Sequence, residues 1–190
     1  NQTLLFNQTY KGYQNWYKIA ADGKGVAIQL TSDERNNRDI TFNHDLSEAV
    51  YLSGRDEVRL LDLRSLKSRT IVKDEIWGFQ NSEPSFSPNG DYVLFSAKRN
   101  FELDIFVHHI SKNETINLTN TGVSEDNPVW SPDGKYIYFS SDRTNPSYPL
   151  GSQNPSVYRL ALDWFDKAYK SDQFDQLFSS EKQIEKEEKK

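Results

Sequence analysis

Cysteine is absent from the 190 residues, which removes disulfides, thiolate metal sites and a cysteine nucleophile in one step. Methionine is absent too, and the chain opens on Asn1, so a processed chain or a piece of a longer polypeptide is expected. Basic clusters are missing: 23 Lys and Arg stand against 28 Asp and Glu, a formal charge of −5. Phosphate neutralisation needs clustered cations, so nucleic acid is not an expected partner. Apolar runs such as Tyr92 to Phe95 are short, far below the roughly 20 residues of a membrane-spanning helix, and no membrane insertion is expected. What the chain does have is aromatic side chains, 11 Phe, 10 Tyr and 4 Trp within an apolar share of only 35%. Large aromatics and β-branched residues separated by turn residues favour strands.

The chain repeats itself. Phe86-Ser87-Pro88-Asn89-Gly90-Asp91-Tyr92-Val93-Leu94-Phe95-Ser96 recurs as Trp130-Ser131-Pro132-Asp133-Gly134-Lys135-Tyr136-Ile137-Tyr138-Phe139-Ser140, 44 residues later. One period upstream, Phe42 to Ser53 keeps the apolar run but lacks Pro and Gly in the turn. Leu4 to Asn7 matches Val93 to Ser96, and Leu30-Thr31 matches Leu118-Thr119, both about two periods apart. Within a period, a short segment opening at Pro84 or Pro128 meets a turn in which Pro presets φ and Gly takes the left-handed position. The apolar run that follows does not alternate, which suits a strand covered on both faces. A third strand is read at 15–19, 58–63, 103–110 and 157–162, and a short fourth strand ends near Leu30, Val72 and Leu118. Four antiparallel strands in about 44 residues is the arithmetic of a β-propeller blade.

The Ser-Pro-Asn-Gly turn at 87–90, the Ser-Pro-Asp-Gly turn at 131–134, Ser141-Asp142-Arg143, and the pairing of Asp104-Ile105-Phe106 with Leu118-Thr119 resemble the WD40-like repeat of TolB and of the tricorn protease. The resemblance covers about residues 3 to 162. The stretch Val157 to Asp163, with Phe165-Asp166-Lys167 and Phe174 to Phe178, is similar to tricorn-like serine peptidases, in which a propeller precedes a PDZ domain and a catalytic domain. The resemblance implies a non-catalytic propeller segment that admits or holds peptide substrates or serves assembly. It also implies a peptide or protein partner and allows a homo-oligomer through the parent protein. A TolB-like periplasmic interaction propeller is the first alternative, and a propeller hydrolase or lyase with its site in other blades is the second. A periplasmic or otherwise exported location follows from the resemblance, with the cytoplasm as the alternative.

The fold class expected is therefore all-β, a propeller segment of about three and a half four-stranded blades followed by a short helical tail. Blades are read at 1–31 (partial), 37–73, 84–119 and 127–163. The first supplies its second to fourth strands and the last its first to third, so the ring does not close on itself, and further blades are expected outside residues 1–190. In the tail at 164–190, Phe174, Leu177 and Phe178 fall on one face of a helix, and 180–190 is a charged linker rich in Glu and Lys.

No catalytic, cofactor or metal residue is assigned. His108 and His109 are neighbours on a strand and point to opposite faces, so they cannot chelate one ion together. His44 beside Asp45 reads as a turn aspartate with an incidental histidine. Ser87 and Ser131 recur with the blade, so they read as turn hydroxyls and not as nucleophiles. Arg99 and Arg143 read as strand or blade pairing, with a place at a channel mouth as the functional reading. Tyr92, Phe95, Trp130, Tyr136, Tyr138 and Phe139 read as packing between blades. Sequons at Asn1, Asn7, Asn113 and Asn117 read as chance in an Asn- and Thr-rich chain.

Overall fold

The computed structural model describes residues 2–76, 83–99, 101–146 and 153–162; the helical tail and linker expected at 164–190 lie outside the described residues. Among the described residues fourteen strands form four antiparallel sheets in chain order. The first sheet holds β1 (Thr3–Tyr10), β2 (Tyr13–Ala20) and β3 (Ile28–Gln29). The second holds β4 (Asn37–Phe42), β5 (Glu48–Ser53), β6 (Glu57–Asp62) and β7 (Lys67–Lys73). The third holds β8 (Ser85–Phe86), β9 (Tyr92–Arg99), β10 (Glu102–His109) and β11 (Glu114–Asn117). The fourth holds β12 (Glu125–Trp130), β13 (Tyr136–Ser141) and β14 (Ser156–Ala161). Two complete blades therefore stand between two three-stranded ones, the partial propeller that the period implies.

Each sheet packs on its neighbour through its own apolar cluster. Leu30, Ala49, Tyr51 and Leu61 join the first sheet to the second. Val50, Leu52, Val93, Phe95 and Phe106 join the second to the third, and Leu94, Ile105, Ile137 and Phe139 join the third to the fourth. Adjacent residues of β5 thus serve different clusters, because successive side chains of a strand point to opposite faces. With both faces covered, β5 is buried from Ala49 to Ser53 and β9 from Val93 to Ala97. Tyr51 and Phe95 are wholly buried, and burial of such a side chain contributes about 1.5–3 kcal/mol.

Two expectations need correction. Run β13 is not covered on both faces: Ile137, Phe139 and Ser141 are buried, while Tyr136, Tyr138 and Ser140 are half-exposed. No further sheet covers their side among the described residues, so Tyr136 and Tyr138 do not pack between blades, and the Arg159 guanidinium lies 4.4 Å from the Tyr136 ring centroid instead. Pro128 does not open its strand either. β12 starts at Glu125 and its register shifts between Asp126 and Val129, so the proline, which cannot donate to a ladder, sits in the irregularity that tolerates it.

The turns explain the repeat. The Ser87 hydroxyl accepts from Tyr92 N at 3.0 Å and donates to Asn89 Oδ1 at 2.7 Å, and Gly90, at φ +80°, donates to Ser87 O at 2.8 Å. Ser131 repeats this with Tyr136 N at 2.9 Å and Asp133 Oδ1 at 2.6 Å. Both serines are thus consumed by turn bonding.

Candidate functional site: the two ends of the blades

In an antiparallel four-stranded meander the first and third connections emerge at one end, here the turn end. The second connection and the link to the next sheet emerge at the other, the loop end. Charge collects at the loop end, built on a polar motif that recurs two periods apart. Trp16 N donates to Thr31 Oγ1 at 2.9 Å, and that hydroxyl donates to Asn15 Oδ1 at 3.0 Å. In the third blade, Ile105 N donates to Thr119 Oγ1 at 3.0 Å, which donates to Asp104 Oδ1 at 3.1 Å. Asn15, Thr31 and Asp104 are buried, so each bond replaces one that water would have made.

Around these knots stand ion pairs. Asp33 accepts from Arg59 Nη1 and the Tyr51 hydroxyl, each at 2.8 Å. Burial, the largest cause, together with the hydrogen bond to the Asp33 carboxylate, pushes the Tyr51 phenol well above its usual range. Arg99 grips Asp74 with two nitrogens, both at 2.5 Å, bridging the second and third blades; the hydrogen bonds to Asp74 raise the guanidinium further. Arg143 stays within its own blade, donating from Nη2 to Glu125 Oε1 at 2.6 Å and lying 4.7 Å from the Tyr158 ring centroid. Both arginines are therefore paired, one between blades and one between strands, and each keeps over a third of its side chain exposed. Glu125 is wholly buried, and its Oε1 also accepts from Thr121 Oγ1 at 2.8 Å. Beside it, burial first and then Asp142, Glu125 and Glu102 hold the Asp126 carboxyl above the usual carboxylate range.

The remaining sequence candidates fall elsewhere. His108 is buried with Nδ1 2.9 Å from Thr115 Oγ1, and His109 lies on the opposite face against Tyr92, ring centroids 4.6 Å apart. Asp45 accepts from Ser47 N and Oγ at the degenerate turn. Among the described residues no group of three or more His, Cys, Asp or Glu could hold a metal ion, and no helix is long and apolar enough to cross a membrane. Glu125, Asp126 and Asp33 were not singled out from sequence; the one signal was the period of Thr31 and Thr119, two threonines that anchor the knots.

Residues 51–173 match the family model of the TolB β-propeller domain. The chain belongs to the TolB β-propeller family. Among solved structures this TolB-type propeller is similar to TolB from Acinetobacter baumannii, with 24% identity, TM-score 0.61, and coverage of 80% of this chain and 36% of that one. It is similar to the tricorn protease, with 16% identity, TM-score 0.65, and coverage of 85% and 17%. It is also similar to oligogalacturonate lyase from Vibrio parahaemolyticus, with 16% identity, TM-score 0.64, and coverage of 83% and 46%. Identities this low show a shared fold and no more, and the chain spans less than two thirds of each of these proteins. No curated protein matches the sequence.

Proposed function

We propose that this TolB-type propeller is a non-catalytic binding module that holds peptide or protein at its loop end, within a tricorn-like serine peptidase whose chemistry lies outside residues 1–190. The observation that carries the reading is the pair of loop-end arginines, Arg99 held by Asp74 at the junction of the second and third blades and Arg143 held by buried Glu125 within the fourth. Both guanidinium groups are fixed by side-chain bonding, and each arginine keeps over a third of its side chain open to solvent. Preorganised charge of this kind steers and orients polar ligands. The Thr31 and Thr119 hydroxyls of the knots are spent on structural bonds, which supports a binding role over a nucleophilic one.

The test is a fluorophosphonate label on the full-length protein. A labelled serine outside residues 1–190, casein cleavage by the full-length protein and none by the 190-residue chain are expected. Labelling of a serine within the chain, or no labelled serine at all, overturns the peptidase reading. A second reading, a TolB-like periplasmic interaction propeller, is supported by the TolB family match and the 24% identity with a TolB. It requires recovery of the protein from a periplasmic extract together with a bound envelope protein, and recovery from the cytosol alone rejects it.

A further inference from the structure

The turn end carries a feature that the loop-end reading does not use. Between the third and fourth sheets a groove of about 670 Å³ is lined by Tyr92, Ile116, Leu118 and Trp130, with Asp91 and Asp133 also on its wall. Between the first and second sheets a groove of about 1000 Å³ uses the same positions two periods earlier: Phe42 for Trp130, Leu30 for Leu118, Asp45 for Asp133 and Leu46 for Gly134. The blade repeat therefore builds the same cleft twice, an aromatic wall on one strand facing a leucine, with a turn aspartate at the rim.

The walls are held in place. Trp130 Nε1 donates to Ser85 O at 3.3 Å, which fixes the indole against the neighbouring blade and leaves its ring to the cleft. The Asp133 carboxylate accepts at Oδ1 from Ser131 Oγ at 2.6 Å and from Lys135 N at 3.1 Å. Those bonds, the Ser131 hydroxyl first, hold it below the usual carboxylate range. Asp91 Oδ2 accepts from Asn89 Nδ2 at 2.7 Å. Among the described residues that line the groove between the third and fourth sheets none is Lys or Arg, the Lys135 charge reaching Asp133 from outside the lining, so the cleft joins an apolar floor to two carboxylates.

We infer that the groove between the Ser-Pro-Asn-Gly and Ser-Pro-Asp-Gly turns binds a peptide segment of a partner protein in which an apolar side chain is flanked by lysine or arginine. The apolar side chain enters between Trp130 and Leu118, and the flanking cations meet Asp91 and Asp133. The volume suits a few residues and not a whole domain, and the two negative charges without a lining cation select against acidic segments. This is a second surface, at the end of the blades opposite the proposed loop-end site.

The test follows the indole N–H signal of Trp130 by NMR in the full-length protein. The probe is the peptide acetyl-Gly-Lys-Leu-Lys-Gly-amide, with its Ser and Glu counterparts in place of Lys. Saturable shifts with the Lys peptide are expected, with the Ser peptide weaker and the Glu peptide silent. The double substitution Asp91→Asn, Asp133→Asn keeps an acceptor oxygen in each turn, as Asn89 does in the preceding repeat. It is expected to weaken the Lys peptide about fivefold or more while leaving the Ser peptide unchanged. Equal binding of all three peptides, no shift with any, or insensitivity to the double substitution overturns the inference. Shifts that follow protein concentration without peptide assign the groove to a second copy of the chain and overturn it as well. Loss of the loop-end reading leaves these outcomes untouched, because no loop-end residue enters them.

Discussion

His108 shows how one residue couples the blades to pH. It shares the face of β10 with Phe106, which packs against the second sheet, so its imidazole lies within that interface. It has a partner at Nδ1, Thr115 Oγ1 of β11, but none at Nε2 among the described residues. Burial is the main reason its pKa falls below the ordinary histidine value, with the charges of Arg69 on β7 and of His109 adding to it. The fold thus favours the neutral ring. Above about pH 6.5 both folded and unfolded chains hold it neutral and it costs nothing. Below that pH the unfolded chain takes up a proton that the folded chain resists until the lowered folded pKa is reached, so stability is lost as pH falls. The urea midpoint is expected to drop between pH 7.5 and pH 5.5, and to drop less in His108→Asn, which keeps a group for Thr115 but cannot titrate. Identical pH dependence in the two proteins would remove His108 from this role.

At the scale of the element, the turns were legible from sequence where their residues are conventional and obscure where they are not. Pro88-Asn89-Gly90 and Pro132-Asp133-Gly134 announce themselves, and both glycines take positive φ. The turn of the second blade has neither residue, yet Asn43 to Leu46 closes the same way: Leu46 N donates to Asn43 O at 3.2 Å, and Asn43 Oδ1 accepts from Glu48 N at 3.0 Å in place of the serine hydroxyl. Leu46 consequently stands at φ +58° with two thirds of its surface exposed, a conformation that costs a residue with a side chain about 1 kcal/mol or more. Leu46→Gly relieves that strain, partly offset by glycine's larger unfolded-state entropy. We expect a gain of about 0.5–1 kcal/mol in urea unfolding, and a loss would mean that Leu46 contributes more through contact than its backbone costs. Other features escaped the sequence for a different reason. The bonds joining Asp104 to Thr119 and Glu125 to Arg143 link residues 15 and 18 positions apart, and the register shift in β12 exists only against its partner β13. Only the registered sheet brings such residues together.

At the scale of the whole molecule, stability follows from which sheets are sandwiched. Blades that touch only their neighbours behave as a nearly one-dimensional stack, in which each interface adds its own term. The second and third sheets each take part in two apolar clusters, whereas the first and fourth take part in one. The consequence is visible in the strands. β9 is buried continuously from Val93 to Ala97, while β1 is exposed at every position but Phe6, and β14 leaves Val157 77% exposed. Opening an end sheet sacrifices one interface, and opening an inner sheet sacrifices two. Amide protection in the 190-residue chain should therefore be graded. The amides of β5, β6, β9 and β10 are expected to exchange slowest, near the rate set by global unfolding, and those of β1 to β3 and β14 orders of magnitude faster. Native-state hydrogen exchange at low denaturant reads this strand by strand. Uniform protection across all four sheets would refute the stack, since it would require the exposed faces of β1 and β14 to be covered, and the chain would then unfold as one cooperative unit.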